Sequence, residues 1–171
     1  MKIHSLPPVH LVYIPEAESL NQCLLERFRS VYEGPDTRRS HFLHGRFENI
    51  YIDREHTPEI LPLITAAGQA AQKILYWSEP LRCGHWFNLM GPGHRTSLHT
   101  HEEDDELLSA VYYITAPEHS GDLLLEATPF TIRLRPSPGM MALFPPNLPH
   151  AVECNASGQD RLSVAFNFGP A

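Results

Sequence analysis

The segment SLHTHEEDDELLSAVYYI, residues 97–114, places His99 and His101 two positions apart, just before five consecutive acidic residues. Along a strand, alternate side chains share a face, so these imidazoles would point the same way. Two residues of rise separate the Cα atoms by roughly 6.6 Å, within reach of one ion at about 2.0–2.1 Å per ligand. Imidazole suits Fe, Zn, Ni or Cu. With eleven histidines in the chain, two solvated histidines on a sheet edge are the competing account of this pair. His150 follows MMALFPPNLP, an apolar run and a proline-stiffened loop that could deliver a third imidazole to the same ion. A hydrogen-bonded histidine at a strand end is its alternative.

Ten residues separate His150 from Arg161, which opens RLSVAFNF. Period-two geometry places Arg161, Ser163, Ala165 and Asn167 on one face and Leu162, Val164, Phe166 and Phe168 on the other. If the first face lines a cavity, Arg161 would hold a carboxylate through its two-pronged guanidinium, with the Ser163 hydroxyl assisting. Otherwise Arg161 is an exposed edge charge.

These residues need a scaffold. From position 86 onward, short β-rich runs alternate with turn signals, predicting strands near 86–90, 98–101, 108–115, 122–126, 130–134, 140–144, 150–154 and 162–168. Eight strands without an intervening helix suggest a sandwich, jelly roll or small barrel. Residues 1–80 look helical. Leu20, Leu24, Phe28 and Val31 recur at helical spacing before Gly34-Pro35, and Thr57-Pro58-Glu59 starts a second helix with Ile60, Ile64, Ala67, Ala71 and Ile74 on one face. Residues 41–53 are ambiguous, with RFENIYID compatible with a strand. No linker is evident, so residues 1–171 are expected to form one domain: a helical part over 1–80 packed on one sheet of a β core over 86–168.

Composition limits the alternatives. The 171 residues suffice for one hydrophobic core, and the 42% hydrophobic content is that of a globular protein. A net charge of −7 argues against binding nucleic acid through its phosphates. The apolar runs fall short of a membrane span, and the N-terminus does not resemble a secretory signal. Three widely spaced cysteines suggest free thiols in a reducing, cytoplasmic setting.

Taken in order, MGPGHRTSLHTH, LSAVYYI, SGDLLLE, PSPGMMALFPPNLPHAV and RLSVAFNF resemble the 2-oxoglutarate/Fe(II)-dependent oxygenases, in particular the prolyl-hydroxylase-like branch. The resemblance covers about residues 86–168 and implies a double-stranded β-helix, or jelly-roll, core. It implies that His99, His101 and His150 bind Fe(II) and that Arg161, with Ser163, pairs with the distal carboxylate of 2-oxoglutarate. Tyr113 falls where the family often places a hydroxyl on that carboxylate, core packing being its alternative. Ser109 and Val111 share the Tyr113 face, and Asn88 either faces the cavity or supports a turn.

The family usually has Asp or Glu where this chain has His101. Three histidines could hold Fe(II) themselves, Glu103 could supply the carboxylate, or the site could take another metal and have lost the reaction; the first needs no distortion. The expected activity is hydroxylation with release of succinate and CO2. The alternatives are a cupin-like three-His dioxygenase without 2-oxoglutarate and a non-catalytic module for metal or a small acid. Expected partners are O2 and a small-molecule or peptidyl substrate, not nucleic acid or membrane, with a homodimer left open. The acidic run at 102–106 suggests a negative rim that would attract a cationic or polar substrate. Trp77, Trp86 and the Tyr51 region are candidates for the substrate entrance or for core.

Overall fold

The computed structural model describes residues 2–101 and 105–171. Each of the eight strands expected from the second half is present: β5 (Leu81–Met90), β6 (Thr96–His99), β7 (Leu108–Thr115), β8 (Leu123–Ala127), β9 (Phe130–Leu134), β10 (Met140–Phe144), β11 (His150–Val152) and β12 (Arg161–Pro170). They divide four and four between two antiparallel sheets. The smaller runs β6-β11-β8-β9, and β10-β7-β12-β5 form the middle of the larger. This mainly β arrangement is that of a jelly roll.

The N-terminal half is less helical than its sequence suggests. Helices α1 (Ala17–Val31) and α2 (Leu61–Leu75) are present, the latter preceded by a 3-10 turn over Pro58–Ile60. Four further strands, β1 (Ile3–Leu6), β2 (Val9–Tyr13), β3 (Arg38–Leu43) and β4 (Arg46–Tyr51), extend the large sheet to β1-β2-β10-β7-β12-β5-β4-β3. Strands of four to six residues carry too little alternation to stand out, which is why β1 and β2 escape a pattern reading. The ambiguous 41–53 region is the β3–β4 hairpin. His44 and Gly45 form its two-residue connection, both at positive φ (51° and 82°), the conformation that favours glycine in tight hairpins.

Both helices pack on the large sheet, α1 against β7 and α2 against β5 and β7. The buried stripe of α1 is Asn21, Leu24 and Phe28; that of α2 is Leu63 and the three alanines Ala67, Ala70 and Ala71. Facing them are Phe87, Tyr112, Leu162, Val164, Phe166 and Phe168. Full burial of a side chain such as Phe166 is worth about 1.5–3 kcal/mol. The Tyr112 hydroxyl donates to Asn21 Oδ1 at 2.6 Å, tying α1 to the sheet. A second apolar cluster joins Leu123 and Leu125 of the small sheet to Ala142 and Phe144 of the large one, with Leu148. Because β7 and β12 give their apolar faces to the helices, their alternate residues turn inward between the sheets. No described helix is long and apolar enough to cross a membrane.

Candidate metal centre and anion pocket

His99 closes β6 and His150 opens β11, and the two are direct partners across that antiparallel pair. His101 lies just beyond the strand, although the expected strand ran to 101. Its backbone N–H donates to the Pro146 carbonyl at 2.8 Å, which keeps the segment beside the proline loop before His150. One potential ligand atom from each of His99, His101 and His150 lies within 4.8 Å of the others. Ligands on one ion at 2.0–2.1 Å stand about 3.0–3.4 Å apart, so modest side-chain rotation would bring the three onto a common centre.

The hydrogen bonds select the nitrogen left free. Nδ1 of His99 lies 2.9 Å from the Ser97 carbonyl, and Nδ1 of His150 lies 2.9 Å from the Leu148 carbonyl. A carbonyl only accepts, so each Nδ1 carries the proton and each Nε2 presents a lone pair. Burial, with His99 adding like-charge repulsion, pushes the pKa of His101 down to about 4 and that of His150 to about 3. Both are therefore neutral near pH 7, the form that binds metal. Among the described residues no carboxylate joins the cluster; Glu103 lies outside the described residues.

The same cavity contains Arg161, Ser163, Tyr113, Asn88 and Ser109. Arg161 is 2% exposed. Its Nη1 donates to the Gly121 carbonyl at 2.7 Å and to the Ser120 carbonyl at 3.3 Å, while Nε is buried without a partner. Gly121 has φ 93°, and a Cβ there would fall 2.2 Å from the Glu153 carbonyl oxygen, so only glycine fits where this carbonyl meets the guanidinium. No carboxylate pairs with Arg161 among the described residues; burial lowers its pKa, opposed by the fields of Tyr113 and Asp122. Arginine nevertheless remains charged.

Tyr113 is fully buried, and its hydroxyl has no hydrogen-bond partner. Burial raises its pKa, partly countered by Arg161. Ser163 is the register partner of Tyr113 on one side and of Asn88 on the other. Asn88 and Ser109 are differently engaged. Asn88 donates to the Glu48 carbonyl at 2.9 Å and accepts from Arg46 Nη1 at 3.3 Å, and the Ser109 hydroxyl donates to Asn167 Oδ1 at 2.9 Å. They line the cavity with their hydrogen bonds given to protein groups, whereas Arg161 and Tyr113 keep polar atoms unpaired.

Sequence reasoning missed the buried pair Arg46 and Glu48, whose Nη2 and Oε1 are 3.1 Å apart. The available signal was GRFENIY, where opposite charges two apart on a strand share a face, but an exposed ladder has the same pattern. Of the proposed entrance residues, Trp86 and Tyr51 line a cleft beside His99 and His101. Trp77 does not; it lies by Lys73 and Tyr76 at the end of α2.

No family model matches the sequence, and no curated protein sequence matches it. Solved structures match along nearly the whole chain. A Pseudomonas putida prolyl-4-hydroxylase aligns with TM-score 0.65 at 21% identity, covering 95% of this chain and 88% of the other. EvdO2 from Micromonospora carbonacea var. aurantiaca, solved with 2-oxoglutarate, aligns with TM-score 0.68 at 16% identity over 94% and 86%. A Trichoplax adhaerens prolyl hydroxylase, in complex with a hypoxia inducible factor peptide fragment, gives 0.69 at 12% over 96% and 84%. The chain thus has the fold seen in prolyl hydroxylases and other 2-oxoglutarate–Fe(II) oxygenases.

Proposed function

We propose that the protein is an Fe(II)- and 2-oxoglutarate-dependent oxygenase that hydroxylates its substrate. One observation carries this reading: a buried guanidinium without an anionic partner among the described residues shares a cavity with three imidazoles that converge. Leaving a charge buried and unpaired costs several kcal/mol, so a pocket that keeps one is suited to an anion. The donor set fits iron, and Arg161 with the free Tyr113 hydroxyl fits one end of a dicarboxylate. When bound, the metal and 2-oxoglutarate supply the oxidation by O2, with 2-oxoglutarate converted to succinate and CO2.

The chain's own part is holding and orienting. His99, His101 and His150 would hold the metal through nitrogens freed by the backbone carbonyls behind two of them. Arg161 and Tyr113, with Ser163 beside them, would hold the distal carboxylate. Leu123, Phe144 and Val152 would supply an apolar wall beside the metal. Asn88 and Ser109 would shape the pocket by fixing Arg46 and Asn167. We include residues 1–171 in one domain, since β1–β4 complete the large sheet, and place the protein in the cytoplasm, in keeping with its free cysteines. Partners are O2 and a small-molecule or peptidyl substrate.

Iron-loaded protein given 2-oxoglutarate and O2 should release succinate, faster with substrate present. Release no greater than from an Arg161→Ala variant would contradict the proposal. Among the described residues the donor set has no carboxylate, which favours, as a second reading, a three-His dioxygenase in which Arg161 holds a carboxylate of the substrate itself. That enzyme would consume O2 without making succinate.

A further inference from the structure

We propose, building on the oxygenase reading, that the cleft beside the histidine cluster takes a substrate bearing a protonated amine and that Glu48 receives it. The cleft has a volume of about 370 Å³ and opens onto His99 and His101. Its walls include Glu48, Asn49, Tyr51, Trp86, Thr100 and Glu106, with two carboxylates and no Lys or Arg among the described lining residues. A divalent ion with a dianionic cosubstrate sums to zero charge, so neither reverses the sign of these walls. Arg46 offsets the charge of Glu48, so Glu106 leaves these walls with a net negative charge, which disfavours an anionic substrate and favours an ammonium group.

Glu48 is suited to this contact by both position and availability. It borders the inner cavity as well as the outer cleft. Its side chain is 12% exposed, and Oε1 accepts from Arg46 Nη2 at 3.1 Å. Among the described residues no donor reaches Oε2. Arg46 is itself fixed, with Nη2 donating to Thr96 Oγ1 at 2.9 Å and Nη1 to Asn88 Oδ1 at 3.3 Å. The carboxylate is therefore held in place with one oxygen left to accept an N–H. Glu48 is not among the side chains whose ligand atoms gather within 4.8 Å of one another, which are the three histidines alone among the described residues.

The aromatic wall supports the same ligand. The Trp86 ring has Tyr51 at 6.5 Å between centroids and His101 at 6.0 Å. Indole is the aromatic face that attracts cations best. The Tyr51 ring already has the Arg38 guanidinium 5.7 Å from its centroid, whereas no protein cation lies over Trp86 among the described residues. A substrate with an apolar body and an ammonium end could place one on this wall and the other at Glu48.

The test uses the full chain without metal, so that binding is read separately from turnover. Phenethylamine, 2-phenylethanol and 3-phenylpropanoate, which share a ring and differ in charge, are titrated by ligand-observed NMR. The amine is expected to bind at least tenfold more tightly than either of the others. Glu48→Gln is expected to weaken the amine about 10- to 100-fold, the scale of a charged hydrogen bond, and to leave the alcohol and Fe(II) binding unchanged. An amine bound no better than the alcohol overturns the proposal, as does a Glu48→Gln variant that weakens all three probes alike or loses Fe(II). Should that variant fail to fold, the wild-type ranking and Glu106→Gln, expected to weaken only the amine, decide the question. Selective amine binding without succinate release would refute the oxygenase reading alone; succinate release without amine selectivity would refute this one alone.

Discussion

The guanidinium carbon of Arg161 lies 5.3 Å from the centroid of the Tyr113 ring, and each side chain has a buried polar atom with no partner. The two come from adjacent strands of the large sheet and face the same cavity. Removing Arg161 should therefore affect ligand binding more than folding. Arg161→Ala is expected to weaken 2-oxoglutarate binding to the Mn(II)-loaded protein by about 2–5 kcal/mol, the range for truncating one side of a buried charge pair. Calorimetric titration reads this directly, and unchanged affinity would remove Arg161 from the site.

Tyr113→Phe deletes only the hydroxyl. The expected result is 2-oxoglutarate binding weakened by about 1 kcal/mol, one neutral hydrogen bond. Thermal stability without ligand should stay the same or rise, since the lost hydroxyl is buried and unsatisfied. A large fall in melting temperature would show that the group supports the fold instead.

At position 101 the donor type can be tested. His101→Ala should reduce Fe(II) affinity by more than about a hundredfold, beyond the ~10–100-fold expected for losing a group that only supports a ligand. His101→Asp should retain most of that affinity, because a carboxylate is also a competent ligand there. Equilibrium metal titration distinguishes the two. Equal, small effects would place His101 outside the coordination sphere.

Acid should destabilise the metal-free protein. Burial depresses His101 to about 4 and His150 to about 3, from an ordinary value of 6.5. Between pH 6.5 and those values the unfolded chain binds protons that the folded chain refuses, so stability rises with pH. It is fully present above about pH 6.5 and is lost as pH falls towards 4 and then 3. Melting temperatures measured from pH 7 to 4 should fall, and more shallowly in His150→Gln, which removes one of the two sites.

The N-terminal half should be inseparable from the β core. Asn21→Leu leaves the Tyr112 hydroxyl buried without its acceptor and should cost about 1–3 kcal/mol in denaturant unfolding. A chain beginning at residue 81 would lack β1–β4 and both helices, exposing Phe87, Val164 and Phe166. It should not fold cooperatively; cooperative folding would establish the second half as a domain on its own.

How much of this was legible in the residues differs by element. The strands of the second half were readable because turn signals bound each one and β12 alternates cleanly, with Arg161 and Ser163 opposite Leu162 and Val164. The histidine pair followed from period-two geometry, even though β6 ends at His99 and His101 is held by a loop carbonyl. The role of Arg46 and Glu48 was not legible, because whether paired charges on a strand face solvent or a cavity depends on the sheet packed above them. Strand β2 pairs with β10 and carries β1 on its outer edge, a long-range contact that leaves little trace in a local pattern. Nor could spacing show that Asn88 and Ser109 are engaged by other side chains.

The most direct measurement is anaerobic addition of 2-oxoglutarate to the Fe(II)-loaded protein, followed by visible absorption. A new charge-transfer band in the wild type, lost in His99→Ala and requiring far more 2-oxoglutarate in Arg161→Ala, is the predicted result. Tight Fe(II) binding with no such band at saturating 2-oxoglutarate would contradict the account.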